Sequence, residues 1–458
     1  MASDISGPQV SRKSRDHYFQ FARPSERSVQ SIRLAWQLLI YRTTCFFLCH
    51  MWFLKVLFGL LRLLRPVAIF KKIMIVTKAS EVREVLERFD DFTLGDSIAP
   101  GMPWGSFLMT VDWRNQHTRE RQLLQNAVHA GDVKKISAIA AARCRRQIAA
   151  ASGQIDVVAQ LLEPVVVDIA AEYYGVSPLA GCERRMAQAM GDLAGIIMVN
   201  PPVGSKPWFR SRDSIASVTA HLLAELSSKT SALVPPVAAP PDDDLLTRLV
   251  QQLGGPDVPS WFDEDWIRRY MTGLLATGAA TIVRAGAHAI DQMLAHPGVT
   301  EKARVVAIEL DQAEQRGEQK RADELRCRLR HFLYEALRFR PMLPLLLRDT
   351  PRETVIAHGT KRARIVPAGT RVMAPPLAAM FDPEEFATPS SFDPSRPLEC
   401  YVLFGHGPRH CFGKYIAEAV LIEVFRSLFF LPNLARAAGS KGRIAYIGPV
   451  AAELVVTF

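Results

Sequence analysis

The residues of this 458-residue chain best suited to chemistry lie in one short segment, Phe404-Gly-His-Gly-Pro-Arg-His-Cys-Phe-Gly413. A cysteine sulfur that ligates iron must be held as a thiolate, shielded from bulk water and tuned by nearby amide donors. Gly405, Gly407 and Gly413 allow the backbone to fold tightly beneath a flat cofactor. Phe404 can shield the sulfur, and Arg409 presents a planar fork suited to a carboxylate. The segment runs into a helix, so Cys411 sits near an N-terminus whose dipole favours an anionic sulfur. The competing reading is an inert cysteine in a glycine-rich turn. The other six cysteines, at 45, 49, 144, 182, 327 and 400, are scattered and never spaced C-x-x-C. That pattern argues against a disulfide framework or a zinc ribbon and suits a reducing compartment.

The segment resembles the haem-binding signature F-G-x-G-x-R-x-C-x-G of the cytochrome P-450 superfamily, with all six specified positions matched. The resemblance implies haem b (iron protoporphyrin IX) with the Cys411 thiolate as axial ligand. Further segments stand in the family's order. Glu335-Ala-Leu-Arg338 places an acid and a base on one helix face. Alone this is a common surface pairing. Ahead of Phe392–Pro397 it is similar to the family's E-x-x-R helix, with Arg396 as third member of a structural ion network. The resemblance also sets Arg348 against a haem propionate and Leu345, Leu346 and Leu347 along a substrate pocket. His117 and Arg121, four apart on one helix face, are similar to the H-x-x-x-R propionate clamp.

Thr277-Gly-Ala-Ala-Thr281 resembles the family's oxygen-activating A-G-x-(D/E)-T segment. There Gly278 would admit dioxygen against the helix and Thr281 would relay protons. The chain departs from the pattern: Ala280 stands at the acid position and Thr277 at the first alanine. Thr277 and Thr281 share a face, so their two hydroxyls are expected to order a water chain in place of the acid.

These residues need a scaffold, and the pattern around them is mainly helical. Ser260 to His296 contains no proline, opens on a capping box of Ser260 and Asp263, and stops at Pro297-Gly298. A helix of that length, about 54 Å, must run through the whole body. Helical patterns cover 117–150, 155–198 and 319–340, and a last helix starts near Gly413. A short β run, Ile73–Thr77, precedes a helix from about Ser80 with Ser/Glu capping, and further β signals fill 353–376. The Pro-rich stretches 200–208 and 235–244 read as surface loops. The expected fold class is mainly α with a small β portion: one haem-thiolate domain, residues 67–458, built on a long central helix.

Charge is concentrated at one end. Residues 1–72 hold twelve Lys and Arg against three acids, a net +9 of the chain's +10. The body is therefore no nucleic-acid binder by charge. Residues 1–42 read as a flexible basic segment, and 43–66 as an apolar helix whose Lys55, Arg62 and Arg65 fall on one side. Such a helix suits the surface of an anionic membrane, which predicts a membrane-associated, cytoplasmic-facing protein.

The sequence thus predicts a haem-thiolate monooxygenase that inserts oxygen from O2 into an apolar small molecule such as a lipid, terpene or steroid. Electrons would come from a separate ferredoxin or flavoprotein reductase, docked on a cationic face of Arg396, Arg409 and Lys414. Two alternatives remain: a hydroperoxide-using isomerase, dehydratase or peroxygenase, which needs no acid–threonine relay, and a non-enzymatic haem gas sensor.

Overall fold

The computed structural model describes residues 27–95, 102–232, 243–253, 255 and 258–458, with side chains of the first helix from Arg33 onward. The basic segment before residue 27 and most of the Pro-rich 235–244 stretch lie outside the described residues.

The central helix spans Glu264–Leu294 and is buried along nearly its whole length, from Trp266 to Met293. It starts later than the Ser260 pattern suggests, because the capping is done by Asp263 alone. That carboxylate accepts the Trp266 N–H at 2.7 Å, satisfying one of the unpaired amides of the first turn. The helices Glu183–Met198, Lys206–Ala232, Gln319–Phe339 and Lys414–Phe429 all pack on it. Each expected helical stretch is present, with two subdivided. The 117–150 stretch breaks into Arg114–Asn126 and Asp132–Ala150. The 155–198 stretch opens on a strand, Gln154–Asp156, and includes π-helical turns at Val157–Leu162 and Ile169–Tyr173. The helix near Ser80 spans Ala79–Glu87 and lacks its expected Ser/Glu cap; Asp382, remote in sequence, accepts the Ala79 N–H instead.

The β portion centres on a four-stranded sheet in the order β1 (Val67–Phe70), β2 (Ile73–Val76), Arg371–Ala374, Leu346–Asp349. β2 runs parallel to Arg371–Ala374 with Ile73 opposite Arg371, and the other pairs are antiparallel. This sheet carries Arg348 and covers a core of its own that includes Tyr334 and Tyr401.

The N-terminal region differs most from expectation. It forms two helices, α1 (Arg27–Cys49) and α2 (Met51–Leu64), bent by 84° at His50. The single helix expected over 43–66 is therefore broken, and helix already covers residues 27–42 of the segment expected to be flexible. Among the described residues no single helix is long and apolar enough to cross a membrane, although the bent pair passes that test together. The basic side of α2 faces the protein. Arg62 donates to the carbonyls of Thr77, Ala378 and Phe381 at 3.1, 2.5 and 2.7 Å. Lys55 lies over the rings of Phe339 and Phe381 at 5.1 and 4.6 Å. One of these acceptors, Ala378, lies in the one-turn helix Pro376–Ala379, where its carbonyl takes the Arg62 guanidinium in addition to the Phe381 N–H.

Candidate functional site

The cysteine loop is closed by the Cys411 N–H bonding to the Phe404 carbonyl at 2.9 Å. Gly405 and Gly407 have φ of +76° and +69°, in the region that favours glycine. At Gly407 any side chain would also meet the Cα of Glu87 at 2.8 Å. Gly413 has no such demand; it is the N-cap of Lys414–Phe429, and the space beside it is open. Burial pushes the Cys411 thiol pKa up, opposed by the Gly413 and Lys414 amides and by the Arg121 and Lys414 charges. The same residue is accessible at its surface. Cys411 thus combines a desolvated thiol with a residue open to accessible space. Phe404 is half-buried beside Tyr334, with the ring centroids 5.9 Å apart.

Cations gather above this loop with too few acids to match them. His117 is buried against Phe89, and burial with Arg409, Arg121 and Arg114 nearby holds its pKa down to about 4, so it stays neutral. Arg121 lies over the Phe412 ring at 5.8 Å. Arg348 is buried and donates only to the neighbouring Leu347 carbonyl at 2.8 Å. Its pKa is lowered to about 10 by burial and by Arg409. Neither Arg121 nor Arg348 has a carboxylate partner among the described residues. A buried cation without a counter-charge is costly, so the cluster fits a ligand that brings carboxylates. Arg409 corrects its expected role in part. One of its nitrogens pairs with Asp112, another donates to the Met109 carbonyl at 3.1 Å, and only Nε is left buried and unpartnered.

Glu335, Arg338 and Arg396 come together as expected, completely out of solvent contact at the first two. Arg338 also donates to the carbonyls of Met380, Pro389 and Ser391. Tyr401 and the Asp393 N–H complete the bonding of the Glu335 carboxylate at 2.8 and 2.9 Å. The expected cationic dock does not survive. The Arg396 and Arg409 side chains are 8% and 5% exposed, which leaves Lys414 alone at the surface. Arg396 is engaged by Glu335 and the Thr388 carbonyl, and Arg409 by Asp112 and the Met109 carbonyl.

On the central helix, the Thr281 hydroxyl bonds the Thr277 carbonyl and, at 2.9 Å, the Gly278 carbonyl. Thr277 donates to the Gly273 carbonyl at 2.7 Å. Each hydroxyl proton thus turns back into the helix, and the two side chains do not bond each other. Gly278 faces a residue that sequence reasoning missed: a Cβ there would lie 3.0 Å from the Tyr174 hydroxyl. The adjacent pair Tyr173-Tyr174 carried no motif that could have found it. Among the described residues no cluster of three His, Cys, Asp or Glu is placed to hold a metal. A cleft of about 770 Å³ lined by Glu163, Asp192 and Arg210 includes none of these residues.

Residues 198–428, half of the chain, match the family model described as Cytochrome P450. The chain belongs to the cytochrome P450 family. Membership implies haem with cysteine thiolate ligation, which the accessible Cys411 and the unmatched cations fit. A solved mutant of the Saccharopolyspora erythraea P450 EryK, in complex with erythromycin B, shares the P450 fold. Its TM-score is 0.70 at 22% identity, over 90% of this P450 and 97% of that chain. The erythromycin C-12 hydroxylase of Saccharopolyspora erythraea is 28% identical over 279 residues, 60% of each protein. A Fusarium oxysporum protein named bifunctional dioxygenase–epoxy alcohol synthase is 31% identical over 144 residues, 31% of this P450. This P450 spans only 10% of the length of that relative.

Proposed function

We propose that this P450 is a monooxygenase that inserts one oxygen atom from O2 into an apolar small molecule, with electrons from a separate ferredoxin or flavoprotein reductase. The observation that carries the reading is Cys411: an accessible sulfur in a desolvated loop, below basic side chains that lack acids. Haem bound there would supply the thiolate-driven electron push that favours O–O cleavage. The Gly413 and Lys414 amides and Arg121 favour the anionic sulfur. Arg121, Arg348 and neutral His117 would hold the propionates of a bound haem, the first two as charge-assisted donors. Arg409 contributes Nε while Asp112 fixes its orientation. Gly278 keeps the central helix free of a side chain at its closest approach, and Thr281 presents its oxygen as an acceptor. Half-buried Leu345, Leu346 and Leu347 supply apolar pocket wall. The hydroxylase name of one relative supports the insertion chemistry.

Ala280 favours a second reading, hydroperoxide-driven isomerase, dehydratase or peroxygenase chemistry, and the epoxy alcohol synthase relative points the same way. The test has two stages. The reduced, carbon-monoxide-bound protein should show the red-shifted Soret band of thiolate ligation, lost in Cys411→Ala and kept when any other cysteine is replaced. A histidine-type spectrum rejects the assignment. Turnover is then measured with donor electrons or with hydroperoxide. Product with electrons supports monooxygenation, product with hydroperoxide alone supports the second reading, and neither leaves a gas sensor.

We further propose that the N-terminal helices rest on an anionic membrane surface with the opposite side to that expected. With Lys55 and Arg62 turned inward, Trp36, Trp52, Val56, Leu60, Leu63 and Leu64 are exposed, and Leu63 reaches 82%. Phe70 and Ile73 of the β1–β2 hairpin are also exposed. Contiguous exposed apolar side chains of this kind suit insertion among lipid headgroups, with Arg65, Lys71 and Lys72 at hand for anionic lipid.

A further inference from the structure

The central helix lacks a carboxyl at position 280, and a phenol from another element stands against the same turn. Tyr174 is 4% exposed and follows the π-helical turn Ile169–Tyr173, with its N–H bonded to the carbonyl of Ile169, five residues back. A π turn takes up an extra residue and re-aims the side chains after it. The adjacent tyrosines consequently do different things. Tyr173 donates to Asp132 at 2.9 Å and shares a hydrogen bond of 2.8 Å with Tyr415. The Tyr174 hydroxyl has no hydrogen-bond partner among the described residues. The residue is buried, yet its hydroxyl oxygen borders accessible space, where a small ligand can reach it. Such a group calls for a partner that the protein itself does not provide.

The position of that hydroxyl narrows what the partner is. It lies 3.0 Å from where a Cβ of Gly278 would be, a distance that glycine alone accommodates comfortably. The Gly278 carbonyl is also the acceptor for Thr281. Burial, followed by the neighbouring Tyr415, raises the Tyr174 pKa, so the phenol keeps its proton. Thr277 and Thr281 direct their protons at helix carbonyls, whereas the proton of Tyr174 is uncommitted.

We propose that Tyr174 is the hydrogen-bond donor of this site: its phenol holds a water or a diatomic ligand against the Gly278–Thr281 turn, the task left open by Ala280. Thr281 Oγ1, its own proton engaged, accepts from the same water. The inference rests on the haem-thiolate reading, and its test separates the two. The C–O stretch of the reduced, carbon-monoxide-bound holoprotein is measured by infrared spectroscopy in H2O and D2O. A donor beside the ligand lowers this frequency and makes it isotope-sensitive. Tyr174→Phe is expected to raise the frequency, abolish the D2O effect and lower the fraction of electrons recovered in product. Gly278→Ala should disturb the band by pushing on the hydroxyl, and adding Tyr174→Phe should relieve that disturbance. A thiolate Soret band with a C–O stretch unmoved by Tyr174→Phe overturns this proposal alone. Absence of the thiolate band in the wild type overturns the haem reading and this proposal with it.

Discussion

Glu335 holds Arg338 through both carboxylate oxygens, at 2.7 and 2.8 Å, and neither side chain is exposed. A buried pair of this kind is expensive to break and much less so to replace. Arg338→Ala should cost about 3–5 kcal/mol in denaturant unfolding, since it leaves the buried Glu335 charge with only the longer Arg396 ion pair at 3.6 Å. The double variant Glu335→Leu, Arg338→Leu should lose less than the sum of the two single changes. Additive losses would show that the pair is not energetically coupled.

Arg348 gives a second expectation, because its guanidinium is buried with only a backbone carbonyl to bond. Arg348→Leu should weaken haem binding by about 10- to 100-fold, the scale of one charge-assisted hydrogen bond. The same change should stabilise the haem-free protein, since an unmatched buried charge is removed. Titration with haem and thermal unfolding of the haem-free form check the two halves.

Lys55 offers a pH signature. Burial, followed by Arg338 and Arg340 nearby, lowers its pKa from 10.5 to about 8. Between those values the unfolded chain keeps the proton that the folded one has released. Stability from this group therefore rises as pH increases from 8 to 10.5 and is flat below. Unfolding free energies of wild type and Lys55→Met should diverge in slope over that window; parallel profiles would place Lys55 in solvent.

The outward face of α1 and α2 leads to a prediction about lipid. Leu63→Asp with Leu64→Asp should release the protein from anionic vesicles in a flotation assay while leaving the thiolate spectrum intact. Arg62→Met should loosen α2 from the body, seen as faster hydrogen exchange there, because three carbonyls lose their donor. Unchanged flotation of the double aspartate variant would remove this face from the contact.

The haem loop, the Glu335 pair and the central helix were legible in the sequence because each is contiguous or repeats at helical spacing. Cys411, Gly405 and Gly407 depend on neighbours a few residues away, and local backbone geometry is enough to place them. The break at His50 was hidden, since both sides are apolar and helix-forming. Other features depended on partners that no local pattern brings together. Arg409 meets Asp112 across 297 positions, and Arg62 finds two of its three carbonyl partners more than 300 positions later. Tyr174 is set against Gly278 by the packing of two helical segments and a π turn that no motif announces. The sequence by itself determined which sulfur could hold a metal and which helix must pass beside it. Only the tertiary structure decided which cations remain free, which face of α2 looks outward and which hydroxyl faces Gly278, because desolvation and hydrogen-bond partnership are properties of the assembled interior.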